Sequence, residues 1–133
     1  MGSAQDLAIR IGQILMRNAQ ATSQDWDYCG YMFETADGVS STGEIFMFSQ
    51  GKRLPFRLGR DMKEITNAFK DLRQATLVPG DDPWIKCLAV LRNDGDFQTK
   101  FEFDDIKRWS IVPDNVERAY EILVSDVYPE ILG

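Results

Sequence analysis

The side chains best suited to chemistry in this sequence are carboxylates, which concentrate between positions 81 and 105. Seven lie there against three basic residues: Asp81, Asp82, Asp94, Asp96, Glu102, Asp104 and Asp105. Carboxylates gathered at one end of a hairpin could bind Mg²⁺ or Ca²⁺ for phosphoryl chemistry on phosphate esters. They could instead form turns and the solvent face of a strand, or a patch that pairs with a basic protein. Their spacing is not that of an EF-hand loop, so metal binding is the least favoured of the three.

The sequence contains no histidine, and this excludes much of hydrolase and metalloenzyme chemistry. Without an imidazole there is no Ser–His–Asp or Cys–His nucleophile and no histidine metal ligand. The usual general base near neutral pH is missing as well. We therefore predict a non-enzymatic protein with no catalytic residues, no metal site and no cofactor.

Two cysteines, Cys29 and Cys87, are far apart in the chain and form no Cys-x-x-Cys motif. This usage predicts a reduced protein in which both thiols are small buried side chains. No stretch approaches the roughly 20 apolar residues of a membrane span, and the N-terminus lacks the pattern of a secretory signal. We expect a cytoplasmic protein with no membrane partner.

Phosphate and nucleic-acid binding have little support. Gly51 and Lys52 resemble the end of a phosphate loop, but Arg53 follows in place of Ser or Thr, and Phe46 stands where glycine is required. A basic stretch could bind a phosphate-rich ligand or an acidic partner, although such runs are more often solvated faces: Lys52, Arg53, Arg57, Arg60 and Lys63. The 15 basic and 21 acidic residues give a net charge of −6, which disfavours direct binding of nucleic acid.

The elements that must position these side chains follow from hydrophobic periodicity and turn signals. Apolar stripes predict helices over 4–20 and 60–76, and a last helix that opens at Pro113 and closes at Pro129. Ser3 is expected to cap the first helix, and Asp114 with Glu117 to form a capping box on the last. Apolar runs predict strands over 26–35, 44–49, 84–92 and 97–104, with a short continuation over 53–57. Asn-Asp-Gly at 93–95 is the strongest hairpin signal.

The order helix–hairpin–helix–hairpin–helix predicts one α+β domain over residues 1–133. Its simplest architecture is a mostly antiparallel four-stranded sheet with the helices packed on one face. In the strand over 97–104, Phe97 and its alternate neighbours face the core, while Glu102 and Asp104 share the solvent face. The three tryptophans, Trp26, Trp84 and Trp109, are expected to pack in the core.

The second half of the chain resembles the YezG-like immunity-protein family. The resemblance is carried by Asp-Pro-Trp-Ile at 82–85, Asn-Asp-Gly-Asp-Phe at 93–97 and Phe-Glu-Phe-Asp-Asp at 101–105, and it covers roughly residues 82–112. That family consists of small immunity proteins of polymorphic toxin and contact-dependent growth inhibition systems. The sequence departs from the family pattern at 106–111 and in its first hairpin, so the resemblance does not identify a toxin.

The resemblance implies a bacterial antitoxin that binds one cognate toxin domain, often a nuclease, and inhibits it without chemistry of its own. A nuclease must be basic to hold nucleic acid, so carboxylates are the natural contacts. The predicted partner-binding residues are Asp82, Asp94, Asp96, Glu102, Asp104, Asp105 and, as a rim or anchor residue, Trp109. We expect a monomer rather than an obligate dimer. The alternative is a small acidic secretion chaperone, which would be a dimer with an apolar groove for an exported client protein.

Overall fold

Three α-helices and five β-strands alternate along residues 3–133, the part of the chain that the computed structural model describes. Their bounds are α1 Ala4–Ala21, β1 Tyr28–Glu34, β2 Thr42–Ser49, β3 Lys52–Arg53, α2 Met62–Ala75, β4 Lys86–Arg92, β5 Phe97–Glu102 and α3 Ala119–Val124. Single 3₁₀ turns cover Gly59–Asp61, Val116–Arg118 and Pro129–Leu132. The predicted α+β class is therefore confirmed.

The strands form one antiparallel sheet in the order β3-β2-β1-β4-β5. Strand β1 is central, and its Tyr28 lies opposite Phe48 of β2 on one side and Arg92 of β4 on the other. The prediction of four strands is wrong by one, because the chain turns at Gly51 (φ +79°) and adds β3 to the edge of β2. Proline at position 55 prevents β3 from running on as a longer strand.

Helices cover both faces of the sheet, so the prediction that they pack on one face is wrong. Helices α1 and α2 bury Leu15 and Phe69 on one face, and Leu123 of α3 packs with Trp109 on the other. The reason lies in the central strands, where Tyr28–Phe33 of β1 and Lys86–Leu91 of β4 are buried at every position. Side chains of a strand alternate between faces, so a strand that is apolar throughout needs a layer on each side.

Helix α1 begins as predicted. The Ser3 hydroxyl accepts a hydrogen bond from the amide of Asp6 at 3.2 Å, and the Asp6 carboxylate accepts one from the amide of Ser3. This reciprocal capping box satisfies two amides that a helix leaves without partners. Ion pairs from Arg17 to Asp61 and Glu64 then join α1 to the start of α2.

The last helix is much shorter than predicted. The chain from 103 to 118 forms turns, α3 covers only six residues, and Val116, within the predicted helix, is 49% exposed. Neither Asp114 nor Glu117 caps a helix. Asn115 determines the local structure instead, because its side chain accepts a hydrogen bond from the amide of Val112 and donates one to the carbonyl of Ser110.

Two predictions about buried side chains are confirmed. Cys29 and Cys87 are free, buried thiols, and burial raises the pKa of both above its usual value. Trp84 and Trp109 are buried, and Trp26 is partly buried against the core. Of the helices over residues 3–133, none combines the length and apolar character required to cross a bilayer.

Candidate protein-binding surface

The predicted acidic residues lie at opposite ends of the β4–β5 hairpin and do not form one patch. Asp94 and Asp96 belong to the turn that joins the two strands, whereas Asp82, Asp104 and Asp105 lie at the other end. Strand β5 covers five steps between these ends, which is about 17 Å at 3.4 Å per residue. A single small contact area cannot contain both groups.

The carboxylates of the β4–β5 turn hold the turn and the C-terminal segment in place. Asp94 accepts hydrogen bonds from Nε of Arg92 at 3.0 Å and from the amide of Asp96 at 3.1 Å. Asp96 accepts one from the hydroxyl of Tyr128 at 2.7 Å and one from Gln98 at 3.1 Å. The hydrogen bond from Arg92 lowers the pKa of Asp94, and the one from Tyr128 lowers that of Asp96. Both side chains therefore already have partners within the subunit.

Glu102 is not on a solvent face, contrary to the prediction. Its side chain is 13% exposed, and Oε1 accepts a hydrogen bond from Arg108 at 2.7 Å. Oε2 accepts three more from the consecutive amides of Phe103, Asp104 and Asp105 at 3.0–3.1 Å. These hydrogen bonds lower the pKa of Glu102 to about 2, and the bond from Arg108 has the largest effect. Glu102 therefore stabilises the chain reversal that follows β5.

We expect Glu102→Gln to lower the free energy of unfolding at pH 7 and to flatten its acid dependence. Because the pKa is about 2 in the folded state, below the ordinary 4.5, ionised Glu102 stabilises the fold above pH 4.5. That contribution is lost as the pH falls towards 2. Urea unfolding at about pH 7 and pH 3 measures this, and the wild type should lose more stability between the two than Glu102→Gln does. Equal losses would contradict the assignment.

Asp126 joins the chain after β5 to the rest of the molecule. It accepts hydrogen bonds from Nε1 of Trp109 at 2.5 Å, from Arg108 at 3.0 Å and from Lys100 at 3.1 Å. Partial burial alone would raise the pKa of Asp126, but these donors and the charge of Arg108 outweigh burial and lower it. Trp109 is only 4% exposed and lies beneath the Arg108 guanidinium at 4.6 Å. It therefore lies in the core, not at the rim of an interface.

Lys86 is a second anchor for the same part of the chain. Its side chain is fully buried, and Nζ donates to the carbonyl of Arg108 at 2.8 Å and to the hydroxyl of Ser110 at 3.1 Å. Nζ also lies 3.4 Å from the Glu34 carboxylate. Sequence reasoning missed Lys86, although a lysine inside the otherwise apolar run over 84–91 was the signal. Asp126 gave no comparable local signal.

The chain from 103 to 117, here called the anchored loop, presents apolar and acidic side chains together. Four large apolar residues are about half exposed or more: Phe103, Ile106, Val112 and Val116. Four exposed carboxylates lie among them: Asp104, Asp105, Asp114 and Glu117. None of these four forms an ion pair with another residue of the 3–133 range. Apolar anchors within an unpaired acidic surface are suited to binding a protein.

Asp82 adds to the acidic character of this end of the sheet. It is exposed, as is Asp81, and both precede β4, whose first residue Lys86 lies opposite Glu102, the last residue of β5. Trp84 stacks on Phe101 at 5.3 Å between ring centroids. Because the two strands are antiparallel, the chain before β4 and the chain after β5 leave the sheet at the same end.

The basic stretch lies elsewhere in the fold. Lys52 and Arg53 form β3, at the sheet edge opposite β5. Arg57 and Arg60 lie in the chain that leads into α2, and Lys63 is in the first turn of that helix. All five side chains are exposed, and Arg53 pairs with Glu44 at 2.7 Å. The basic stretch therefore lies apart from the anchored loop.

An apolar groove of about 420 Å³ lies between α1 and the β4–β5 turn. It is lined by Gln5, Ala8, Ile9, Gly12, Gln13, Met16, Leu91, Gly95 and Phe97. Gly12 permits close packing here, because a Cβ at this position would lie only 3.2 Å from the Phe97 ring. The groove has the chemistry to accept an apolar side chain or segment.

No cluster of three or more acidic or cysteine side chains within residues 3–133 has an arrangement that could hold a metal ion. Comparison of the chain with models of known protein families finds no match. Comparison with curated protein sequences finds none either. The support for the anchored loop as the candidate site therefore comes from its geometry and chemistry and not from a relative.

Proposed function

We propose that the protein is a non-enzymatic immunity protein that binds and neutralises a cognate bacterial toxin domain, with a nuclease as the expected class of toxin. It would act in the cytoplasm of a bacterium that uses contact-dependent growth inhibition or a related polymorphic toxin system. The resemblance of residues 82–112 to the YezG-like family motivates the proposal. The observation that carries it is the anchored loop, with its exposed apolar residues among unpaired carboxylates.

The chemistry of the anchored loop complements that of a nuclease. A nuclease active site presents basic side chains where phosphates bind, and carboxylates such as Asp104 and Asp114 can occupy those positions. Phe103 and Ile106, at 49% and 66% exposure, supply the apolar anchors that dominate the energy of protein interfaces. Glu102, Asp126 and Lys86 hold the loop in one conformation. The loop therefore loses less conformational entropy when it binds a partner.

The proposal is tested with the toxin domain that it requires. In such systems we expect a neighbouring gene for a large secreted protein whose C-terminal domain is the toxin. Co-expression of the full-length chain should protect cells from that domain, and the two purified proteins should form a stable complex. The immunity protein of an unrelated toxin is the matched control and should not protect. Growth arrest in the presence of this protein, with no complex between the purified partners, would contradict the proposed function.

A small acidic secretion chaperone is the second candidate, and the apolar groove beside α1 is the observation that favours it. A chaperone of this kind would hold an unfolded apolar segment of an exported client protein there. Titration with a labelled unfolded apolar peptide distinguishes the two candidates. Micromolar binding that Ile9→Asp abolishes would favour the chaperone, whereas binding of a folded toxin domain in the absence of peptide binding would favour the immunity protein.

A further inference from the structure

Strand β5 forms one edge of the sheet and pairs with β4 alone. Its six residues contain no proline, and the pairing runs without a break from Phe97 to Glu102. The only charge in mid-strand, Lys100, bonds to Asp126. The opposite edge, β3, is two residues long, and a proline follows it at position 55. Short strands and prolines protect sheet edges from pairing, so β3 is protected and β5 is open to another strand.

The pairing pattern determines which backbone groups of β5 face outward. The amide of Arg92 donates to the carbonyl of Asp96 at 2.8 Å, so this opposed pair is hydrogen-bonded. Hydrogen-bonded and non-hydrogen-bonded pairs alternate along an antiparallel ladder. The even-numbered residues of β5 therefore bond to β4, and the N–H and C=O groups of Phe97, Thr99 and Phe101 point to the open edge.

We propose that a second copy of this chain occupies the edge, with β5 pairing antiparallel to β5 about a two-fold axis at Thr99. The segment over 97–101 reads Phe-Gln-Thr-Lys-Phe, which is nearly palindromic. A two-fold axis at its centre opposes Phe97 to Phe101 of the second copy and Thr99 to itself. Two-fold interfaces are self-complementary in this way. The two sheets then continue as one.

The side chains on both faces of β5 fit this register. Phe97 and Phe101 are partly buried on the α1 face, and aromatic pairs across strands stabilise a sheet. On the other face, Gln98 is opposed to Lys100.

One pair of like charges arises at each end of the ladder, where Asp96 is opposed to Glu102 of the second copy. Each carboxylate already has donors in its own subunit, Tyr128 for Asp96 and Arg108 for Glu102. The Glu102 charge is therefore compensated by Arg108, and the Asp96 carboxylate is stabilised by a hydrogen bond from a neutral hydroxyl, before the strands pair. In this register each residue from 97 to 101 is opposed to a residue of the same segment in the second copy, with phenylalanine opposite phenylalanine and threonine opposite threonine. This self-complementarity favours a second copy over an unrelated strand. The inference does not rest on the proposed function, and it differs from the monomer expected from sequence.

The molar mass of the full-length chain in solution tests the proposal. We expect it to approach twice the monomer value as the concentration rises from about 1 to 100 µM. Thr99→Pro should raise the dimer dissociation constant roughly tenfold or more, because it removes both N–H groups that the central pair exchanges. These N–H groups bond to nothing within the subunit, so the fold should survive. Thr99→Val is the matched control, since it keeps the N–H and a β-branched side chain, and it should dimerise like the wild type.

A cysteine cross-link tests the register even if Thr99→Pro does not fold. Opposed residues of a hydrogen-bonded pair have Cα atoms about 5.5 Å apart, within the 4.4–6.8 Å range of disulfides. Thr99→Cys should therefore form a covalent dimer on mild oxidation. Gln98→Cys should not, because the two copies of position 98 lie diagonally across the ladder, about 7–8 Å apart. A wild-type chain that stays monomeric at 100 µM would overturn the proposal, and so would a dimer that cross-links through position 98 and not 99.

Discussion

Replacing Asp104 and Asp114 together with lysine is expected to weaken binding of the cognate toxin domain by about 2 kcal/mol or more, roughly thirtyfold. Both residues are exposed in the anchored loop, and like charges would then meet a basic surface. Titration calorimetry measures the affinity. Association should also slow, and the wild-type on-rate should fall with added salt, because charge steering is screened beyond about 10 Å at 0.1 M. The double variant should stop protecting cells from the toxin.

The matched control replaces Asp25 and Asp71 with lysine. These residues are also exposed, and they lie before β1 and on α2, away from the anchored loop. The control changes the net charge by the same amount, so it separates a local contact from a general effect of charge. Both variants should unfold within about 0.5 kcal/mol of the wild type, as is usual for surface substitutions. Equal losses of affinity in the two variants, or none in Asp104→Lys with Asp114→Lys, would contradict the assignment of the anchored loop.

Lys86→Met is expected to lower the free energy of unfolding by about 3 kcal/mol. Methionine has a similar length and volume, so the substitution chiefly removes the charged donor and not the packing. The carbonyl of Arg108 and the hydroxyl of Ser110 would each lose their bond to Lys86. Urea denaturation measures the change in stability. Hydrogen exchange should speed up at the amides of 106–110, because the loop would lose an anchor.

Lys107→Met is the control for this second prediction, since Lys107 is an exposed lysine of the anchored loop. Its stability should remain within about 0.5 kcal/mol of the wild type. Lys86→Met should also bind the toxin domain less tightly, because a less ordered loop loses more conformational entropy on binding. A Lys86→Met protein as stable as Lys107→Met would show that Lys86 does not hold the loop.

The local elements could be predicted because short-range sequence features determine them. Ser3 and Asp6 form the capping box that opens α1, and Asn-Asp-Gly at 93–95 forms the β4–β5 turn with Gly95 at φ +97°. The apolar stripes of α1 and α2 identified the sides of these helices that are buried. In each case the interacting residues lie within a few positions of one another.

The second helical face of the sheet was missed because its evidence is spread over distant parts of the chain. The continuous burial of β1 and β4 implies a layer on each side. The second layer comes from Trp109, α3 and Tyr128, which lie 81 to 100 residues after the start of β1 at Tyr28. The helix expected from Pro113 failed for a local reason, since the side chain of Asn115 bonds to the surrounding backbone and favours turns.

The sequence by itself determined the α+β class, the buried thiols and the position of the carboxylates along the chain. Only the tertiary structure decided which of these carboxylates are available to a partner. Asp96 is held by Tyr128, 32 residues away, and Glu102 by Arg108 and three amides, whereas Asp104 and Asp114 remain exposed. The physical reason is that a carboxylate is available to a partner only when donors within the protein do not already bind it. Folding brings those donors from elements that no local sequence pattern connects.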